Sequence, residues 1–71
     1  MENNIAKYRR YLGITQKEMA KRIGIGRSTF HLKEKGKLDF TQTEILKITK
    51  EIRKTFPDIT VEELFFNDLV N

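Results

Sequence analysis

Seventy-one residues give room for one domain with one modest core, because chains of this size bury only roughly 60% of the surface they expose when unfolded, and so small a core leaves no deep substrate cleft. Cysteine is absent and His31 is the only histidine, which excludes disulfides, thiolate metal sites and most acid–base constellations, so that neither an enzyme nor a metal or other cofactor is expected. The net charge of +4 is unevenly spread: residues 1–37 carry ten Lys and Arg against three Glu, whereas residues 38–71 carry four against seven acidic groups, a pattern suited to turning one basic face toward a polyanion.

The caps divide the chain into helices. Thr15–Glu18, Thr41–Glu44 and Thr60–Glu63 are Thr-x-x-Glu boxes; in each the hydroxyl can accept from the N3 amide while the Glu reaches back to the cap amide, so each predicts a helix start. The first helix is expected over Ile5–Leu12, capped by Asn3 or Asn4, with Ile5, Tyr8 and Leu12 on one face and Gly13 as its stop. The second follows Thr15, turns Met19, Ala20 and Ile23 inward and stops at Gly24. The third begins near Gly26 and runs to Glu34 or Lys35, with Gly36 beyond it. The fourth follows Thr41 and presents Ile45, Leu46, Ile48, Thr49 and Ile52 to the core, and Pro57 closes that region. The fifth starts after Thr60 and carries Val61, Leu64 and Phe65, extending toward Leu69. Phe30, Phe40 and Phe56 join the core. No stretch alternates with period two long enough to suggest a strand. The expectation is an all-α, compact five-helix unit spanning residues 1–71. Short apolar runs and the lack of a signal-peptide pattern predict a cytoplasmic protein without membrane attachment.

Residues 15–33 carry the functional pattern. Two short helices are joined by a turn of about three residues at Gly24-Ile25-Gly26. Ala20 is small where the helices must cross, Gly24 supplies the positive φ of a tight turn, Ile25 can plug the junction, and Phe30 falls on the buried side of the third helix. These are the mechanical needs of a helix-turn-helix. They leave Arg27, Ser28, His31 and Leu32 facing outward. The Gly24-x-Gly26 pair lacks the preceding strand and third glycine of a phosphate-binding loop.

The segment resembles the Cro and phage-repressor type of helix-turn-helix, the xenobiotic-response-element (XRE) family. Its usual Gly-Leu-Thr-Gln appears as Gly13-Ile14-Thr15-Gln16, its Ala as Ala20, its Gly-Val-Ser-Arg-Ser-Thr-Ile as Gly24-Ile25-Gly26-Arg27-Ser28-Thr29-Phe30, and its Glu-x-Gly as Glu34-Lys35-Gly36. The fourth and fifth helices also look like the family's, so the resemblance covers Ile5 to Phe66. It implies a lambda-repressor-like DNA-binding fold with the helix-turn-helix at about residues 15–35. By the same resemblance Arg27 and Ser28 read base edges in the major groove, Leu32 lies one turn later on the groove side, and His31 beside it reaches a base or a phosphate. Arg suits bidentate pairing with guanine O6 and N7. Gln16 contacts phosphate and braces a recognition-helix side chain, and Lys33, Lys35 and Lys37 are placed for phosphates. Arg9 and Glu34 match an architectural Arg–carboxylate pair tying the first helix to the end of the third. Two positions depart from the family: Lys33 stands where an apolar residue is usual, its stem able to snorkel along the core, and Gly26 replaces the commoner Ser cap.

The resemblance implies a sequence-specific, Cro-like transcriptional repressor acting at an operator in double-stranded DNA, of phage or mobile-element origin. Phe66, Leu69 and Val70 exceed what one face of a short terminal helix can bury and predict an apolar patch, the expected seam of a homodimer. The alternative is an interaction protein of the same fold that modulates another repressor or a recombination complex through that apolar end.

Overall fold

A computed structural model describes residues 3–66 and builds them from five helices: α1 Ile5–Tyr11, α2 Gln16–Ile23, α3 Arg27–Glu34, α4 Gln42–Arg53 and α5 Val61–Phe65. Among the described residues there is no strand, and no helix is long and apolar enough to cross a membrane. Each predicted start is present, with the Thr15, Thr41 and Thr60 hydroxyls accepting from the amides of Glu18, Glu44 and Glu63. Only Thr41–Glu44 closes as a reciprocal box, its Glu44 Oε1 accepting from the Thr41 amide at 2.9 Å. Glu18 pairs instead with Arg22 one turn on, at 3.2 Å, and the Glu63 carboxylate accepts from the Thr60 hydroxyl. Glu18 and Glu63 are exposed and turn to other partners, whereas the buried Glu44 takes the Thr41 amide and the Lys33 ammonium on one oxygen.

Gly24 sets the angle between α2 and α3. Its φ of 82° lies in the left-handed region, open to glycine without steric cost. Its amide donates to Lys21 O and that of Ile25 to Ala20 O, the paired bonds of a Schellman ending. Ile25, placed just after the helix, then packs on the core. Gly13 and Gly36 end α1 and α3 with the same pair of bonds.

The core is formed by Ile5, Met19, Ala20, Ile23, Phe30, Ile48, Ile52, Ile59, Leu64 and Phe65, all nearly or fully closed to solvent. Phe30, the inward residue of α3, stacks edge-on against Phe40, which meets Phe65 in the same way, so α3 is anchored through aromatic contacts to α5. Each such side chain contributes about 1.5–3 kcal/mol by leaving water. Phe40 and Phe56 are half-buried against this core and do not reach its centre. The α1 start docks on α5: Asn4 donates from its amide to Leu64 O and from its side chain to Glu63 O, both at 2.8 Å.

Two expectations are corrected. Leu46 is 60% exposed, because Ile45, Ile48, Thr49 and Ile52 complete the i, i+3, i+4, i+7 stripe and Leu46 stands about 100° away from Ile45. Phe66 is not a freely exposed residue: helix α5 ends at Phe65 and Phe66 folds half-buried against the core. Leu69 and Val70 lie outside the described residues.

Candidate nucleic-acid interface

Helix α3 buries only Phe30 and Glu34. Its outward side carries Arg27, Ser28, His31 and Leu32, which with Gln16 of α2 line one shallow concavity. The spacing i, i+1, i+4, i+5 places the four on adjoining strips of one face. Arg27 sits in the first helical turn, which contains no acidic residue. A cation there opposes the positive end of the helix dipole, so local helix energetics do not account for its presence. Leu32 keeps 39% of its surface in solvent, an apolar group with no core to enter.

Behind this face is a chain of polar contacts from α1 through α3 to α2. Arg9 and Glu34 are both buried and meet bidentately, Nε to Oε2 at 2.9 Å and Nη2 to Oε1 at 3.2 Å. The third Arg9 contact, Nη1 to Ile14 O at 2.9 Å, fastens the α1–α2 turn. Gln16 Nε2 donates to Glu34 Oε1 at 2.8 Å and lies 3.2 Å from His31 Nδ1. The side chains singled out in the sequence at Arg9, Gln16, His31 and Glu34 thus form one connected frame under the exposed face. No buried side-chain polar atom among the described residues lacks a partner, so the frame carries no unmet desolvation cost.

Lys33 is the departure. Its ammonium contacts Glu44 Oε1 at 2.6 Å, with side chains 12% and 11% exposed. Its stem packs beneath α3, as an apolar residue would, and its charge is spent on the α4 cap. Burial alone would raise the Glu44 carboxyl, but the Lys33 ammonium and the Thr41 amide and hydroxyl outweigh it and hold the group below the ordinary 4.5. Lys33 is therefore turned away from the face where phosphate contacts would form. Lys35 and Lys37 are exposed beyond the end of α3, and neither has a carboxylate partner among the described residues.

Arg10 and Lys17 were not singled out by the sequence pattern, yet they share a second concavity with Arg9, Thr15, Gln16 and Arg27. Both are exposed. The arginine tie to Ile14 O turns the end of α1 beside the start of α2, which is what assembles these cations from separate helices. Their signal in the sequence was only the basic excess of the first 37 residues. No cluster of potential metal ligands occurs among the described residues.

A helix held outward by a glycine turn, bearing exposed basic and polar side chains and flanked by further cations, defines a helix-turn-helix DNA-binding protein. Residues 4–47 match the antitoxin Xre-like helix-turn-helix domain family, and the chain belongs to that XRE-type family. It is 35% identical over 65 residues to an uncharacterized HTH-type transcriptional regulator of Methanocaldococcus jannaschii, covering 92% of this chain and 91% of the relative. Two uncharacterized HTH-type transcriptional regulators of Archaeoglobus fulgidus are each 34% identical over 68 residues, covering 96% of this chain and 90% and 89% of the relatives. No solved structure matches the chain. The chain is accordingly a DNA-binding regulator of XRE type.

Proposed function

We propose that this regulator is a sequence-specific repressor of the Cro kind, occluding a promoter by inserting α3 into the major groove of an operator. The observation that carries the reading is the exposed set Arg27, Ser28, His31 and Leu32 on a helix whose buried side is fixed by Phe30 and Glu34. In that pose Arg27 pairs with guanine O6 and N7, Ser28 and His31 hydrogen-bond base edges, and Leu32 meets a thymine methyl. Lys35 and Lys37, joined by Arg10 and Lys17, contact phosphates and set the register without reading sequence, while the Gln16 side chain, its amide nitrogen held against Glu34 and His31, braces α3 from behind. Four such cations give a salt slope of about −3.6 per protomer. Such a protein works in the cytoplasm beside its DNA, needs no cofactor, and performs no catalysis. Two copies related by a two-fold axis would place their recognition helices about 34 Å apart, paired through the apolar C-terminal end that includes Phe66. A phage or mobile-element source remains part of this reading.

Selection of bound duplexes from random DNA tests it. A palindromic motif with half-sites one helical turn apart is expected, together with a dimer in sedimentation on that DNA. Binding that is equally tight to every sequence refutes the reading.

A second reading, a module that modulates another protein, draws support from the apolar groove of Leu38, Phe40, Ile45, Phe65 and Phe66 and from the antitoxin description of the matched family. Tight association with a protein partner and negligible affinity for DNA distinguish it from the first.

A further inference from the structure

We propose that Gln16, oriented by the Glu34 carboxylate, holds His31 in the tautomer protonated at Nε2, so that α3 offers the groove a fixed N–H donor rather than a lone pair. The proposal rests on the reading that α3 enters the major groove and specifies what one position of it recognises. An ionised carboxylate only accepts hydrogen bonds, so the Gln16 group 2.8 Å from Glu34 Oε1 is its NH2; the carbonyl there would set two acceptors face to face. Arg9 grips Glu34 from the other side through both carboxylate oxygens and keeps that acceptor in place. The same Gln16 nitrogen lies 3.2 Å from His31 Nδ1. An amide nitrogen has two protons and no available lone pair, so this contact is a hydrogen bond only when Nδ1 accepts. The neutral ring then carries its proton on Nε2, and the polarity runs in one direction from Arg9 through Glu34 and Gln16 to His31.

The consequence is chemical. His31 is exposed beside Arg27, Ser28 and Leu32, and its outer nitrogen can only donate. Adenine and guanine present N7 and thymine presents O4 as major-groove acceptors, whereas cytosine presents only its N4 amino donor. The recognised base is one that offers an acceptor, and cytosine alone is rejected because two donors would meet. A discrimination of about tenfold is expected from one such contact, at the lower end of the cost of a single mismatch.

Two readouts separate the tautomer from the groove. Long-range 1H–15N spectra of the free protein in mildly alkaline buffer are expected to show Nδ1 as the unprotonated ring nitrogen, with Gln16→Ala giving a mixture of tautomers. A protonated Nδ1 in the wild type overturns the proposal whatever the DNA result. Site selection with His31→Ala and Gln16→Ala is expected to erase the exclusion of cytosine at the same position in both variants. If Gln16→Ala lowers affinity evenly and leaves cytosine excluded, Gln16 acts only on phosphate and the proposal fails. If His31→Ala leaves every selected base unchanged while the spectra show the Nε2 proton, the assignment of His31 to the groove falls and the tautomer stands.

Discussion

Replacing Arg9 by Leu removes three donors at once, two from Glu34 and one from Ile14 O. Glu34, whose side chain is 4% exposed, then keeps only the Gln16 amide. Stranding a buried charge costs about 3–5 kcal/mol, and the lost bond to Ile14 O adds about 1 kcal/mol. Chains of this length have roughly 4–11 kcal/mol of total stability at about 0.05–0.15 kcal/mol per residue. Arg9→Leu should therefore move the protein close to its unfolding midpoint at room temperature. Replacing both partners, Arg9→Leu with Glu34→Leu, removes the stranded charge and fills the space with apolar groups, so the double variant should recover to within about 1–2 kcal/mol of the wild type. Urea unfolding followed by circular dichroism, with slopes compared to confirm two-state behaviour, measures both. If the double variant is as unstable as Arg9→Leu, the loss comes from arginine packing, and the ion pair does not organise the fold as described.

Arg27→Ala should lose discrimination between operator and random DNA, whereas Lys37→Ala should weaken both about equally and flatten the salt slope by about 0.9; filter binding across a salt series distinguishes them. Lys33→Met should leave that slope unchanged, because its ammonium is already held by Glu44, while lowering the urea midpoint by an amount worth about 1–3 kcal/mol. The Glu44 carboxyl is held below its ordinary value of 4.5 by Lys33 and Thr41 against the opposing effect of burial, so its contribution is complete above that pH and is lost as acid takes the solution down through the lower folded value. Glu44→Gln should accordingly be less stable at neutral pH and show a shallower loss on acidification, measured as thermal midpoints against pH. Gly24→Ala should cost about 1–2 kcal/mol through its left-handed φ alone, since a Cβ there meets nothing within 4 Å. Gly26→Ser, at a φ of −71° with equal space, should instead gain a few tenths of a kcal/mol by capping α3.

What was legible in the sequence is what local chemistry decides. Thr15, Thr41 and Thr60 mark helix starts through a bond to a residue three positions away, and Gly13, Gly24 and Gly36 mark ends through φ. Neither depends on the rest of the fold: α2, α4 and α5 begin just after those threonines, and α1, α2 and α3 end just before those glycines. The helix faces were nearly as legible, since Met19, Ala20, Ile23 and Phe30 repeat with the helical period and are all buried. Leu46 shows the limit: it is as apolar as its neighbours, and only the full stripe, read by angle, excludes it. The open caps at Thr15 and Thr60 could not be separated from the closed box at Thr41, because the choice depends on burial and on partners outside the local pattern. Arg22 supplies one at Glu18, and Arg22 also reaches Glu51 of α4, a contact that a local pattern cannot contain.

The candidate site divides along the same line. Arg27, Ser28, His31 and Leu32 could be placed because their outward direction follows from Phe30 facing in, a relation within one helix. The charge count could not be converted into a contact count, because it gives a lysine the same weight whether it ends in water or in a carboxylate. Lys33 was counted with Lys35 and Lys37, yet it lies against Glu44, an acid from the half of the chain whose negative excess seemed to belong elsewhere. Arg10 and Lys17 take its place beside Gln16 and Arg27 because Arg9 pulls their two helix ends together. The polyanion-facing charge is thus a property of the assembled frame, and the same arginine that fixes the orientation of α3 also gathers the cations that would seat it on DNA. Binding and folding should consequently fail together when Arg9 is lost, whereas loss of Lys35 or Lys37 should weaken binding alone.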